Sequence, residues 1–179
     1  MRLAAIVLTG GTGARLGGVD KASVEVDGAT MLEHALAACA ACDEVVVVGP
    51  EVPTGRPVTF TRESPAGGGP VAGLVAGRAA LSAEPDLLLV LAVDMPRLTA
   101  GTVSRLVEGA AGHDGAFLAA GGHRQLAGVL RPGAVDWPPP EEAHGRSVRR
   151  FLAPLRLADV PARGAEGVDV DTWEDLRDL

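Results

Sequence analysis

Residues 3–21 read Leu-Ala-Ala-Ile-Val-Leu-Thr-Gly-Gly-Thr-Gly-Ala-Arg-Leu-Gly-Gly-Val-Asp-Lys, and no other stretch constrains the fold as strongly. Leu3 to Leu8 is an unbroken apolar run, the pattern of a strand buried on both faces of a parallel sheet. The run stops at Thr9, and five glycines follow within nine residues: Gly10, Gly11, Gly13, Gly17 and Gly18. Glycine lets the backbone turn with positive φ and brings its N–H groups against a ligand with no Cβ in the way. Arg15 and Lys21 add two cations to a loop already rich in amide donors. After a first strand, that combination predicts a polyphosphate cradle.

Two familiar phosphate loops fail on spacing. A P-loop needs Lys-Ser/Thr directly after G-x-x-x-x-G, whereas Gly13 and Gly18 are followed by Val19-Asp20, with Lys21 arriving late. A dinucleotide fingerprint needs G-x-G-x-x-G, and Gly11-Thr12-Gly13 runs one residue too far before Gly17.

The rest of the chain alternates strand and helix. Ala22 to Val26 alternates up to an Asp27-Gly28 turn, and Met31 to Ala41 has helical spacing. Val45 to Val48 and Leu87 to Val93 are buried-strand runs, the second being the most apolar in the chain and a predicted sheet centre. Pro70 opens a helix reaching Leu81, and Thr99 is an N-cap candidate for a helix through Val107. Later come strands at Gly115 to Ala120, Gln125 to Leu130 and Leu155 to Val160, an irregular Pro-rich loop over 132–144, and short helices at Ser147 to Leu152 and Trp173 to Leu179. We expect a single α/β domain: a doubly wound, mostly parallel Rossmann-like sheet with a late strand-rich insertion. Residues 1–112 would form its nucleotide-binding half and 113–179 its acceptor half with the C-terminal helix.

Composition narrows the partners. A net charge of −7 argues against a general nucleic-acid binder, whose affinity comes from neutralising phosphates. No apolar run reaches the ~20 residues of a membrane span, and Met1-Arg2 leads straight into the first strand, so we expect a cytoplasmic protein away from membranes. Cys39-Ala-Ala-Cys42 lacks a second Cys pair or a histidine at ligand spacing, and reads as buried helix residues rather than a zinc or redox pair. Asp94, just past the central strand, would be costly to bury unpaired. We read it as a Mg²⁺ ligand, since Mg²⁺ takes one or two carboxylates together with substrate phosphate oxygens.

The pattern Leu-x-Gly-Gly-x-x-x-Arg-Leu-Gly-Gly-x-Asp-Lys over residues 8–21 closely resembles the signature of MobA-like nucleotidyltransferases, which make the molybdenum cofactor dinucleotide. The resemblance implies that Leu8, Thr9, Gly10 and Gly11 meet a guanine nucleotide and that Arg15 and Lys21 contact its triphosphate. The family usually carries Ala where Thr9 stands. A second match is Glu63 with Gly69-Pro70-Val71-Ala72-Gly73, where the family has an acidic residue, most often Asp, that contacts the nucleotide. A third is Asp94-Met95-Pro96, which matches the family's metal-binding Asp-x-Pro turn. Weaker matches are Arg124-Gln125-Leu126-Ala127-Gly128-Val129, similar to the segment facing the pterin, and Asp169-Val170-Asp171-Thr172, similar to a late Asn-x-Asn-Thr-Pro element.

The implied reaction moves GMP from GTP, or another NTP, to a molybdopterin-type acceptor and releases pyrophosphate. Arg15, Lys21 and Asp94 would be the catalytic set, Mg²⁺ would sit on Asp94 with Asp171 as second carboxylate, and Arg124, Gln125 and Arg149 would face the acceptor. Interaction with other cofactor-biosynthesis proteins is a further expectation. Some family members read the base with an Asn after the second strand; here Val48 and Gly49 carry no side-chain hydrogen-bonding group. Guanine and cytosine both stay open, as do another phosphorylated acceptor and a non-catalytic nucleotide binder.

Overall fold

A computed structural model describes residues 1–10 and 20–177. Gly11 and Arg15 lie outside the described residues, and Gly10, Asp20 and Lys21 stand at the two ends of the loop. The chain begins with β1 (Leu3–Leu8), a 3-10 turn (Lys21–Ser23), a hairpin of β2 (Glu25–Val26) and β3 (Ala29–Thr30), and α1 (Met31–Ala38). It continues through β4 (Glu44–Val48), β5 (Thr59–Thr61), α2 (Pro70–Ala79), β6 (Leu87–Ala92) and α3 (Ala100–Gly109). The later part holds β7 (Gly115–Ala120), β8 (His123–Leu130), α4 (Pro140–Ala143), α5 (Val148–Leu152), β9 (Leu157–Pro161) and α6 (Trp173–Arg177).

One seven-stranded sheet has the order β5-β4-β1-β6-β8-β7-β9. β4 and β6 flank β1, both parallel to it, so β1 is buried along its whole length as its unbroken apolar run requires. Successive side chains alternate between two cores. Ala5, Val7, Leu89 and Leu91 pack with α1 and α3, while Ala4, Ile6, Leu88 and Val90 pack with Val71 and Leu74 of α2 and Phe151 of α5. The sheet is doubly wound and mostly parallel, as expected.

The connections put a topological switch beside β1. From β1 the chain steps outward to β4 and β5, then returns through α2 to β6 on the other side of β1. Open α/β sheets receive ligands at such a point, beyond the carboxyl ends of the strands. The late strands do not stand apart; they extend the same sheet. β8 is its one antiparallel member, because β7 and β8 form a hairpin closed by Gly121 and Gly122 at φ of 58° and 78°. Positive φ at both central residues is the type I′ geometry that glycine favours. The turn is therefore shorter than the sequence implied, and His123 and Arg124 belong to the strand.

Other boundaries shift for local reasons. α1 starts on a Thr30–Glu33 capping box but ends at Ala38, short of the expected Ala41. There Arg56 donates to the carbonyls of Cys39 (2.8 Å) and Cys42 (3.1 Å), satisfying the turn that leaves the helix. Ala22, expected in a strand, sits in the 3-10 turn, whose Asp20 side chain accepts from the Ala22 N–H at 3.1 Å. The Pro-rich segment is not wholly irregular: Pro140 opens α4, its missing N–H costing nothing at a helix start.

Candidate active site

The residues that follow β1, β4, β5 and β6 converge on one cleft. It has a volume of ≈ 540 Å³ and is walled by Leu8, Thr9, Gly10, Lys21, Glu63 and Asp94, among others. α2 opens onto it with no side-chain cap over its first turn, and Gly69, Pro70 and Gly73 line the wall. An uncapped helix start presents free N–H groups and the positive end of the helix dipole, which suits a phosphate.

At the edge of β1 and β4, Thr9 N–H and Thr9 Oγ1–H both donate to the Val48 carbonyl at 3.0 Å. The hydroxyl fills the space beside Gly49: a Cβ there would lie 1.7 Å from Thr9 Oγ1. Thr9 and Gly49 are thus a matched pair, one supplying bulk where the other has none. Glu63 lies in the cleft wall and accepts from the Gly67 N–H at 3.1 Å, so its carboxylate closes its own glycine loop.

The charged centre joins three distant segments. Lys21 Nζ lies 2.7 Å from Asp171 Oδ1 and 3.3 Å from Asp94 Oδ2. Burial alone would lower the Lys21 pKa, but its bonds and charges with Asp171 and Asp94 outweigh that and hold it above its ordinary value. Asp94 is raised: burial disfavours its charge and Asp169 and Asp171 add to the effect, against the pull of Lys21. Bonds that do not involve Lys21 hold the main chain of the two aspartate segments. Val170 N–H donates to the Asp94 carbonyl at 2.8 Å, and Asp171 and Thr172 both donate their N–H to Asp175 Oδ2 at 2.9 and 2.6 Å.

The donor set suits Mg²⁺. Two carboxylate oxygens point at one cationic atom, and Lys21 Nζ stands where a cation between them would stand. Among the described residues no group of three or more His, Cys, Asp and Glu is placed to hold an ion. A pair of carboxylates matches Mg²⁺, which takes its remaining ligands from phosphate and water. The two cysteines lie elsewhere: both thiols are free and buried, and the bond with neighbouring Cys42, together with burial, pushes Cys39 well up.

The acceptor candidates are placed differently. Arg124 does not reach the cleft; it crosses β7 to pair with Asp159 of β9 and donates to the Leu157 carbonyl at 3.1 Å. Gln125, next along β8, is half-buried, and Leu126 lines the cleft instead. Arg149 and Arg150 are exposed on α5 and Arg146 is exposed just before it, and none of the three side chains is paired among the described residues. Their segment abuts the cleft, since Gly145 N–H donates to the carbonyl of Gly68, between two cleft-lining glycines, at 2.8 Å. α5 is seated by Phe151, whose ring lies 5.6 Å from that of Trp137.

Gly67 entered the site only through the structure, whereas Leu126 and Asp169 lie in segments that the family resemblance marked. Gly67-Gly68-Gly69 before Pro70 was a usable signal for Gly67, because a glycine run before a helix start marks a close backbone approach. Leu126 becomes a wall residue because β8 runs antiparallel beside β6.

A protein-family model described as "MobA-like NTP transferase domain" matches residues 5–160. The chain is 39% identical over 113 residues to a protein of Acidiphilium cryptum named molybdenum cofactor guanylyltransferase, a match covering 58% of this chain and 56% of that protein. It is 35% identical over 126 residues to a probable molybdenum cofactor guanylyltransferase of Methanosarcina acetivorans, covering 63% and 55%. The chain thus spans little more than half the length of these curated relatives. In fold it is similar to a molybdopterin-guanine dinucleotide biosynthesis protein A of Archaeoglobus fulgidus, with TM-score 0.74 and 22% identity over 98% of this chain and 95% of that one. It is also similar to a Methanothermobacter nucleotidyl transferase, with TM-score 0.79 and 22% identity over 99% and 95%.

Proposed function

The chain belongs to the MobA-like NTP transferase family, and from that premise we propose that it transfers GMP from GTP to a molybdopterin-type acceptor. The observation that carries this is the convergence of Lys21, Asp94 and Asp171 at the mouth of the cleft walled by Leu8, Thr9 and Gly10. A phosphate oxygen of the acceptor bonds to the α-phosphorus of GTP. The bond from that phosphorus to the bridging oxygen breaks, and pyrophosphate leaves with the electron pair.

The chain's work is alignment and charge. Leu8 to Gly10 and the uncapped start of α2 hold the nucleotide, with Gly11 and Glu63 as further contacts. Lys21, with Arg15, neutralises the β- and γ-phosphates as leaving charge builds up. Asp94 and Asp171 would hold Mg²⁺, which would supply Lewis-acid charge at the phosphates. No side-chain base is required, because the acceptor phosphate is already anionic at neutral pH. The acceptor enters over the later half, residues 113–179, with Arg149 beside the cleft and Gln125 nearby. Arg124 would join it only by giving up Asp159.

The test is to incubate the protein with molybdopterin, Mg²⁺ and each of GTP, CTP, ATP and UTP in turn. Pyrophosphate and a guanine dinucleotide with GTP are expected. Product with CTP instead would make the chain a cytidylyltransferase, and no product with any nucleotide would leave it a binder.

A further inference from the structure

Lys21 has been given two tasks that one ammonium group cannot perform at once. As a phosphate ligand it must face the triphosphate, yet in the structure the same Nζ spans Asp94 and Asp171. We propose that Lys21 is an internal competitor: in the nucleotide-free protein it occupies the divalent-cation position between the two carboxylates, and a triphosphate draws it away as the cation enters. The idea rests on the nucleotidyltransferase reading only for the identity of that triphosphate.

Three observations carry it. First, the receptor is built without its occupant. The Val170–Asp94 backbone bond and the Asp175-capped turn at Asp171 and Thr172 hold the backbone of both aspartates in place. Second, the occupant is removable. The Lys21 backbone is held in the Asp20-capped turn, while its ammonium rides on a flexible four-carbon stem. Third, the charges exchange sensibly. Two carboxylates with one ammonium carry a net single negative charge. A divalent cation in the same place neutralises the two carboxylates and releases Lys21 toward the phosphates, where positive charge is needed. Cation and triphosphate therefore bind with positive coupling, and coupling is reciprocal.

The decisive measurement uses Mn²⁺ alone, with free Mn²⁺ read by electron paramagnetic resonance and no nucleotide present. Lys21→Met should bind Mn²⁺ about tenfold more tightly than wild type, within the ~5–150-fold range of such couplings. Adding Asp94→Asn to Lys21→Met should abolish the gain. Arg62→Met, which removes an equal charge beside the cleft-lining Glu63, should change Mn²⁺ affinity less than about twofold, a span far below the coupling range. Equal affinity in Lys21→Met and wild type overturns the proposal, as does a gain that survives Asp94→Asn or is matched by Arg62→Met. Wild-type protein supplies a second reading that needs no variant: Mn²⁺ alone should raise acetylation of Lys21, followed by mass spectrometry. Unchanged labelling is equally fatal. A chain that passes both tests and transfers no nucleotide refutes the transferase reading alone. Equal Mn²⁺ affinity in an active enzyme refutes the competitor alone.

Discussion

The two sides of the sheet build their share of the cleft by different means. From β5 to β6 every strand is parallel, so each ends at the same edge and each following loop is delivered there. Thr9, Gly10, Glu63 and Asp94 arrive by that single rule. Beyond β6 the rule breaks. Antiparallel β8 brings its beginning, not its end, to the edge, and the chain reaches Asp94 again only by turning back after β9 through Val170. Parallel geometry gathers residues by position in the sequence; the later side gathers them by individual contacts. Substitutions should therefore act through the shared cleft on the first side and through single pairs on the second.

The largest effect should come from Lys21→Ala. Loss of a group that stabilises developing charge costs about 10²–10³ in rate. Turnover should fall by that much while the melting temperature stays close to wild type, because the backbone bonds at Val170 and Asp175 remain. Near-normal turnover in a folded variant would remove Lys21 from the chemistry and break the convergence on which the first side is defined.

Asp94→Asn comes next and sharpens the link between the sides, since Asp94 follows β6 in the middle of the chain and Asp171 lies beyond β9. Outer-shell partners of a bound metal are worth about 10–100-fold in affinity or activity, so a direct ligand should cost at least about tenfold. The Mg²⁺ concentration giving half-maximal transfer should rise by that factor, and metal-free GTP binding should change far less. An unchanged Mg²⁺ response would move the metal elsewhere.

What could be read from the sequence follows the same division. The unbroken run of Leu3 to Leu8 and the stop at Asp94 made both central strands and their ligand edge visible, because burial on two faces leaves a continuous apolar signal. Asp94 was found because it stands just past a strand, and Glu63 through the family resemblance. Arg124 could not be judged that way. Whether it faces the cleft or β9 depends on the hairpin register that pairs it with Ala119, and on Asp159, a residue in a later strand. That Leu126 rather than Gln125 lines the cleft is set by the same register. The union of Lys21 with Asp171 is set by the return of the chain after β9, and no local spacing encodes a contact across 150 positions.

Gly49→Ala tests how tightly the first side is packed. The new methyl would meet Thr9 Oγ1, and overpacking of this kind costs about 1–3 kcal/mol. At this chain length each kcal/mol lowers the melting temperature by roughly 2–4 °C. Thr9→Ala/Gly49→Ala should recover part of the loss: removing the hydroxyl clears the clash with Oγ1, while the strain of a side chain at φ of +157° and the 3.1 Å approach to the Thr9 Cβ remain. No recovery in the double variant would mean that the two positions are not coupled, and that the β1–β4 edge owes its shape to something else.

The smallest effects belong to the later side, where Arg149→Ala and Arg124→Ala should part company. Arg149 is exposed, its side chain unpaired among the described residues, on a helix whose approach segment is bonded to the cleft wall at Gly68. A charge-assisted bond to an anionic acceptor is worth about 1.5–3 kcal/mol, so Arg149→Ala should raise the acceptor KM about tenfold or more, with GTP affinity within a few-fold of wild type. Arg124 is already committed to Asp159, with side chains 42% and 57% exposed. An exposed pair contributes about 0–1 kcal/mol. Arg124→Ala should therefore leave the acceptor KM within about twofold, by less than that same ~1 kcal/mol, and change stability little. The informative result is the reverse one. If Arg124→Ala raises the acceptor KM as Arg149→Ala does, Arg124 must leave Asp159 when the acceptor binds, and Asp159→Asn should then tighten acceptor binding by freeing it. Steady-state assays on the three variants at fixed GTP separate the cases, because a purely structural pair would move melting temperature and leave KM alone.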